Sequence, residues 1–327
     1  MQREVTMTHE NHTALVTGAN AGLGFDAAAQ LAERGYGHVI LACRTVEKAE
    51  AARQELTERV GKDVFDVLAI DVADLDASRQ AAQTLIEQGR TIDLLVLNAG
   101  LMRQNLERTA QGFEITLAAS LFGHHLLTME LLAAGRLAPG AHIVIAGSEA
   151  ARGEVPGFRL PDYEAVKEAV GGSIDTAMDA VARGEQPDSY SGNGTYANAK
   201  LWVAWWAAAL SRQLPDGMVV VAVSPGSAPG TTFARNMSAP MRIVMVPILK
   251  IIGPLFGMAG SIEQGAQRYV DAGDFAADAS GKFWASPPGK AVGPLEVQTQ
   301  THFTDKTLQE AAWRSVVRLT GVGMPSA

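Results

Sequence analysis

At 327 residues, 47% of them hydrophobic, the chain can bury a large core and fits one α/β domain. A formal charge of −8, with no basic block to override it, disfavours attraction to nucleic-acid phosphates, so no nucleic-acid partner is expected. The single cysteine, Cys43, excludes an intrachain disulfide framework and fits a reducing compartment, with the cytoplasm as the default location.

The opening MQREVTMTHENHT is polar, lacks the apolar core of a secretory signal, and reads as a short loose arm. TALVTGANAGLGFDAAAQLAERG then gives a buried strand at 13–17, a glycine-rich turn and a helix with one apolar face. Gly18 suits the tight turn. Gly22 and Gly24 let backbone approach a pyrophosphate and a neighbouring strand, while free N–H groups at the helix start attract phosphate. Further strands are expected in HVILACR (38–44), FDVLAIDV (65–72) and IDLLVLNAG (92–100), with helical patterns between them, the signature of a doubly wound parallel sheet.

At the end of the second strand, where a carboxylate would bind ribose and repel an added phosphate, stand Cys43 and Arg44. Arg44 offers a planar cation matched to phosphate, which favours NADP(H), with NAD(H) as the alternative. Asp71, at the tip of the third strand, is expected to accept from the adenine amino group, with Val72 packed beside the ring, or to cap the helix begun by DVADLDASRQ.

AHIVIAGSEA (141–150) reads as another buried strand ending at Ser148, where the carboxyl edge of a parallel sheet opens toward ligand. The stretch 149–195 is long; DYEAVKEAV and SIDTAMDAVARG within it form amphipathic patterns, so it reads as an ordered insertion at the active-site mouth or at an oligomer contact. Tyr196 and Lys200 fall four residues apart on a helix begun near GTYANAK and share a face. A phenol is too weak an acid to serve as a base near neutrality, and a lysine cation beside it stabilises the phenolate. Ser148 would hold the substrate oxygen while Tyr196 donates or accepts the proton. Trp202, Trp205 and Trp206 follow on the same helix as packing residues, as do His124 and His125 on an earlier one, and no metal site is expected.

The apolar run PMRIVMVPILKIIGPLFGMAG (240–260) is broken by Arg242, Pro247, Lys250, Gly253 and Pro254, which argues against a simple membrane span. A segment covering the substrate is the favoured reading, and peripheral contact with a membrane surface is the less favoured one.

TGANAGLG, the NAG at 98–100, strand-end Ser148, YANAK and the SPG at 224–226 together resemble the short-chain dehydrogenase/reductase family over residues 13 to about 286. CRTVEKAE, GFEITLAASLFGHHLLT, SIEQGAQRYV and SGKFW are similar to the branch holding retinol dehydrogenases and protochlorophyllide reductases. The resemblance implies a single Rossmann-like domain over 1–327 and catalysis by Ser148, Tyr196 and Lys200. It also implies a structural role for Asn98 and a homodimer or homotetramer. Cofactor contacts are expected from Gly18, Asn20, Gly22, Leu23, Gly24, Arg44, Asp71 and Val72 at the adenosine and phosphate side. Asn98, Ala99, Gly100, Tyr196, Lys200 and Thr231 are expected to contact the cofactor as well, with Pro225 and Gly226 packed beside the nicotinamide.

Two departures from the family pattern stand out. Ser120 occupies the place of a usual asparagine that helps hold a water linking the lysine to solvent, and a hydroxyl offers fewer hydrogen-bonding groups. Thr231, in SPGSAPGTTF, lies slightly farther from Pro225 than the threonine that usually meets the nicotinamide amide. The segment 231–262 corresponds to the family's substrate cover, and its Met, Ile, Leu, Val and Phe suit a bulky apolar carbonyl or alcohol, with Arg235 and Asn236 available to a polar tail. The alternatives are reduction of an activated carbon–carbon double bond, an epimerase or dehydratase with a retained dinucleotide, and a non-catalytic cofactor-binding protein.

Overall fold

The computed structural model describes residues 9–186, 189–227 and 260–325. Unbroken apolar runs, rather than alternating ones, mark strands covered on both faces, and every residue of β1 (Thr13–Thr17) is buried. It joins β2 (His38–Cys43), β3 (Phe65–Ala69), β4 (Ile92–Leu97), β5 (Leu137–Ala146), β6 (Val219–Val223), β7 (Phe283–Ala285) and β8 (Glu296–Val297) in one sheet of order β3-β2-β1-β4-β5-β6-β7-β8. All pairings are parallel except β7 with β8. The order reverses between β1 and β4, and at that point a doubly wound sheet opens a crevice at its carboxyl edge. The expected α/β Rossmann-like fold is therefore present as one domain.

Besides β2, which ends one residue early at Cys43, three strands end well before the sequence suggests. β3 stops at Ala69, β4 at Leu97 and β5 at Ala146, while β5 begins already at Leu137. Past β3 the apolar pattern continues because Ile70 and Val72 return to the core, where both are buried.

Helices α1 (Gly22–Glu33) and α2 (Val46–Val60) cover one face of the sheet, and α3 (Leu75–Glu87) the other. Beside α3 runs a continuous helical segment made of α4 (Ile115–Leu117), a π-helical turn (Ala118–Phe122) and α5 (Gly123–Ala133). This segment is long and apolar enough to cross a membrane, but it is a core helix here, mostly buried.

The stretch 149–195 contains α6 (Tyr163–Ala169) and α7 (Ile174–Arg183), which lie on its two amphipathic patterns. The long α8 (Gly192–Ser211) is apolar on all sides and accordingly buried almost throughout. After it come α9 (Ile262–Asp271), α10 (Thr301–Thr304) and α11 (Lys306–Thr320). α11 packs on both α8 and α7. Asp175 accepts both bonds of a bidentate pair from Arg314, at 2.9 Å each, and Asp179 accepts from Arg318 at 2.9 and 2.7 Å and from Ser315 at 2.6 Å. The α7 part of this stretch is thus held by α11.

The three tryptophans of α8 are fully buried, as expected of packing residues. Trp202 Nε1 donates to Tyr163 Oη at 2.6 Å, and that hydroxyl donates to Asn198 Oδ1 at 2.5 Å. Trp206 Nε1 donates to His125 Nδ1 at 3.0 Å, leaving Nε2–H of that ring to donate to Val322 O at 2.8 Å.

Candidate active site

The site residues stand just past the strand ends. Gly18 follows β1, Arg44 follows β2, Asn98 follows β4, Ser148 lies two residues beyond β5, and Ser224 follows β6. Strand geometry alone therefore gathers at one edge residues scattered over more than 200 positions.

The glycine turn needs its glycines for two different reasons. Gly18 and Gly22 have φ of 68° and 61°, the left-handed region that other residues enter only at a cost. Gly24 has no room for a side chain: a Cβ there would lie 2.5 Å from both Gly18 O and Asn98 Nδ2. Around Gly22 a Cβ would meet nothing within 4 Å, so this side of the turn faces open space. Ala21 precedes α1 and offers no side-chain cap, whereas α2, α3, α6, α7, α8, α9 and α11 all begin with a capping Ser, Thr or Asp. Uncapped N–H groups beside open glycine backbone suit an external phosphate, so these residues fit a dinucleotide.

Asn98 Nδ2 donates to Thr17 O at 2.9 Å, and Ala99 N donates to Thr17 Oγ1 at 2.9 Å. The ends of β1 and β4 are thereby fastened together, which supports the expected structural role of Asn98. Thr17 Oγ1 also lies 3.0 Å from His124 Nε2, whose other nitrogen is 3.1 Å from Ser120 O. Because a carbonyl only accepts, Nδ1 of His124 carries the proton and Nε2 accepts from Thr17. Burial brings both His124 and His125 down to about 4, so both rings are neutral.

Arg44 is exposed at the end of β2 and shares a recess of ≈ 350 Å³ with Asp71, Gln80, Thr84 and the Val67–Ile70 stretch. Asp71 is not the cap of α3. That role belongs to Asp74, whose Oδ1 accepts from Asp76 N at 2.9 Å, while Asp71 Oδ1 closes a local turn with Ala73 N at 3.0 Å. Val72 is buried among core residues, 7% exposed, which leaves its side chain little surface to offer a ligand ring.

Tyr196 and Lys200 share a face of α8, with Lys200 Nζ 5.8 Å from the centre of the Tyr196 ring. Lys200 is 5% exposed, donates from Nζ to Ala146 O at 2.8 Å, and is brought by burial to about 8. Burial pushes the Tyr196 phenol above its ordinary value. The Ser148 hydroxyl, in hydrogen-bonding reach, acts the other way, and the Glu149 carboxylate adds to the rise. Ser148 also caps the short turn Glu149–Arg152, accepting from Ala150 N at 3.2 Å. The structure thus brings Ser148, Tyr196 and Lys200 together.

Ser120 sits in the π-helical turn with its Oγ buried and without a hydrogen-bond partner. A Cβ on Gly100 would lie 3.7 Å from that oxygen and 3.8 Å from Lys200 Nζ, so both polar groups face the same small space. Pro225 and Gly226 are partly accessible at the crevice, and Gly226 has φ of 77°. Thr231, and residues 231–259 of the expected substrate cover, lie outside the described residues.

Sequence reasoning missed Glu149, Arg268 and Ser286, which meet behind Ser148. No local signal marks Glu149 in GSEAAR, because its partners Ser224 and Ser286 lie far along the chain.

The short chain dehydrogenase family model matches residues 12–185. This chain belongs to the short-chain dehydrogenase family. Retinol dehydrogenase 13 of Homo sapiens is 31% identical over 318 residues, covering 96% of this chain and 86% of the relative. Chloroplastic protochlorophyllide reductase of Chlamydomonas reinhardtii is 27% identical over 327 residues, covering 97% and 80%. Among solved structures, a short-chain dehydrogenase from Burkholderia cenocepacia in complex with NADP superposes with a TM-score of 0.60 at 23% identity, over 86% of this chain and 97% of that one, a likeness of fold. The relatives agree with the branch read from the sequence, and the chain is an oxidoreductase of this family.

Proposed function

We propose that the chain is an NADP(H)-dependent oxidoreductase that interconverts a carbonyl and an alcohol on a bulky apolar molecule, with Tyr196 as the acid and base. The observation that carries this reading is the buried Lys200 ammonium beside the Tyr196 ring with Ser148 in reach of the phenol, at the mouth of an open glycine turn. A nicotinamide cofactor, when bound, would supply or take up the hydride. In reduction, Ser148 holds the carbonyl oxygen and Tyr196 gives that oxygen its proton as hydride reaches the carbon; the phenolate then regains a proton from solvent. Oxidation reverses these roles. Lys200, fixed on Ala146 O, stabilises the phenolate by its charge, and Ser120 faces Lys200 where a proton relay would pass. Arg44 is assigned to the adenosine phosphate that distinguishes NADP from NAD, in keeping with the NADP bound by the Burkholderia relative. Asn20 and Ala21 are exposed beside the uncapped helix start and suit contact with the pyrophosphate. The reading places the protein in the cytoplasm, acting as a homo-oligomer.

The test is turnover of bulky aldehydes, ketones, enones and secondary alcohols with NADPH or NADP, followed by cofactor absorbance and product mass. Tyr196→Phe is expected to lose at least about 100-fold in rate. Retained turnover in that variant would overturn the acid and base assignment, and a product reduced at carbon–carbon rather than carbon–oxygen would overturn the carbonyl assignment.

A further inference from the structure

A carboxylate is costly to bury unless charge and hydrogen bonds replace its water. Glu149, the residue after Ser148, is 8% exposed, and the chain surrounds it with donors. Its Oε2 accepts from the hydroxyl of Ser224. Its Oε1 accepts from Ser286 Oγ at 3.0 Å and Ser286 N at 3.3 Å, and the guanidinium of Arg268 lies 3.7 Å away. Arg268 in turn donates to Ser224 O at 3.0 Å, Ser286 Oγ at 3.2 Å and Gly293 O at 2.6 Å. From the other end of the same short turn, Arg152 donates to Ser286 O, Pro287 O and Lys290 O at 2.8, 3.0 and 2.7 Å.

Three segments therefore meet on Glu149: the turn that begins at Ser148, the Ser224–Gly226 loop, and the 286–293 loop. The loop positions cannot move without breaking bonds to the turn that carries Ser148. Glu149 follows directly on Ser148, whose hydroxyl reaches the Tyr196 phenol, so its charge opposes the phenolate while the Lys200 cation on α8 favours it. Burial raises the Tyr269 phenol on α9, with Tyr196 and Glu149 adding to the rise, and Arg268 on that helix is the counter-charge to Glu149.

We propose that Glu149 is a positioning residue of the catalytic centre: it locks the Ser148 turn to the Ser224–Gly226 loop, and its buried negative charge holds Tyr196 in the protonated, proton-donating form. This rests on the reading of Tyr196 as acid and base. The site is thereby poised for carbonyl reduction at neutral pH, while oxidation, which needs the phenolate, gains rate only as pH rises.

The experiment uses the full chain and records kcat/KM against pH for oxidation of an alcohol turned over in the panel, with NADP, in wild type, Glu149→Gln, Arg268→Gln and Tyr196→Phe. Removing the Glu149 charge is expected to move the rising limb to lower pH by on the order of one unit. Removing the Arg268 counter-charge is expected to move it to higher pH. A purely structural role would lower kcat in both variants and leave the limb in place, and an unmoved limb in folded Glu149→Gln overturns the proposal. Should that variant not fold, Arg268→Gln decides alone by the same criterion. Should no alcohol be oxidised, ultraviolet titration of the phenol, taken as the difference between each Glu149 form and its Tyr196→Phe counterpart, reads the same shift. Turnover retained in Tyr196→Phe sinks the acid and base reading and this proposal with it; turnover lost there with an unmoved limb in Glu149→Gln sinks only the role of Glu149.

Discussion

Replacing Gly24 by alanine puts a methyl where the chain has no space. The new carbon would lie 2.5 Å from Gly18 O, 2.9 Å from Gly18 C and 2.5 Å from Asn98 Nδ2. Two of these atoms are backbone of a residue held at φ 68°, so they cannot rotate aside, and Asn98 can yield only by giving up its 2.9 Å bond to Thr17 O. Relief requires the turn to shift by roughly 1 Å, and overpacking of that kind plus one lost hydrogen bond amounts to about 2–4 kcal/mol of stability. The same shift carries the phosphate-facing N–H groups out of place, so NADPH affinity should fall at least about tenfold, or about 1.4 kcal/mol. Gly22→Ala is the control. There a Cβ meets nothing within 4 Å, and the variant bears only left-handed backbone strain of about 1–2 kcal/mol. Urea unfolding and calorimetric NADPH titration of both variants decide the matter. If Gly24→Ala unfolds at the wild-type urea concentration and binds NADPH within twofold of wild type, the close approach of β1, α1 and Asn98 is not what shapes the turn, and the cradle reading fails.

Arg44→Ala should raise the Kd for NADPH by about 10- to 100-fold, the worth of a charged hydrogen bond, and change that for NADH by less than about threefold; equal losses would remove Arg44 from the phosphate. His124 and His125 are neutral in the fold at pH 7, each with a pKa near 4 against 6.5 unfolded. Since the folded values are depressed, the unfolded chain binds more protons between pH 6.5 and 4, and the stability present above 6.5 drains away as pH falls through that window, by roughly 2 kcal/mol per histidine at pH 5. A urea midpoint unchanged between pH 7 and 5 would contradict that sign. Asp175 and Asp179 hold α11 through ion pairs whose side chains are 29–49% exposed, so solvent screening limits each to about 0.5–1 kcal/mol; the double alanine variant should melt earlier at low salt and approach wild type at high salt.

What the sequence made legible is what local chemistry dictates. Strands covered on both faces leave continuous Val, Ile and Leu runs, a left-handed turn leaves glycine, and a shared helix face leaves Tyr196 and Lys200 four apart; each needs only a short window to be seen. The capping Asp was misplaced by three residues because DVADLD offers several carboxylates and only the backbone selects Asp74. Glu149 was illegible for a different reason. Its partners stand 75 and 137 residues away at Ser224 and Ser286, and no periodicity links a strand-end carboxylate to an arginine on a later helix. The α7–α11 contact lies between these cases: Asp175 and Asp179 are four apart, as are Arg314 and Arg318, so the complementary spacing was present but could be matched only once both helices were known to be neighbours. The catalytic side chains thus come from local signals, whereas the groups that set their position and charge come from long-range contacts. Substitutions at Glu149 and Arg268 therefore test the fold's contribution to the chemistry more directly than substitutions at Ser148 or Lys200, which would remove the chemistry itself.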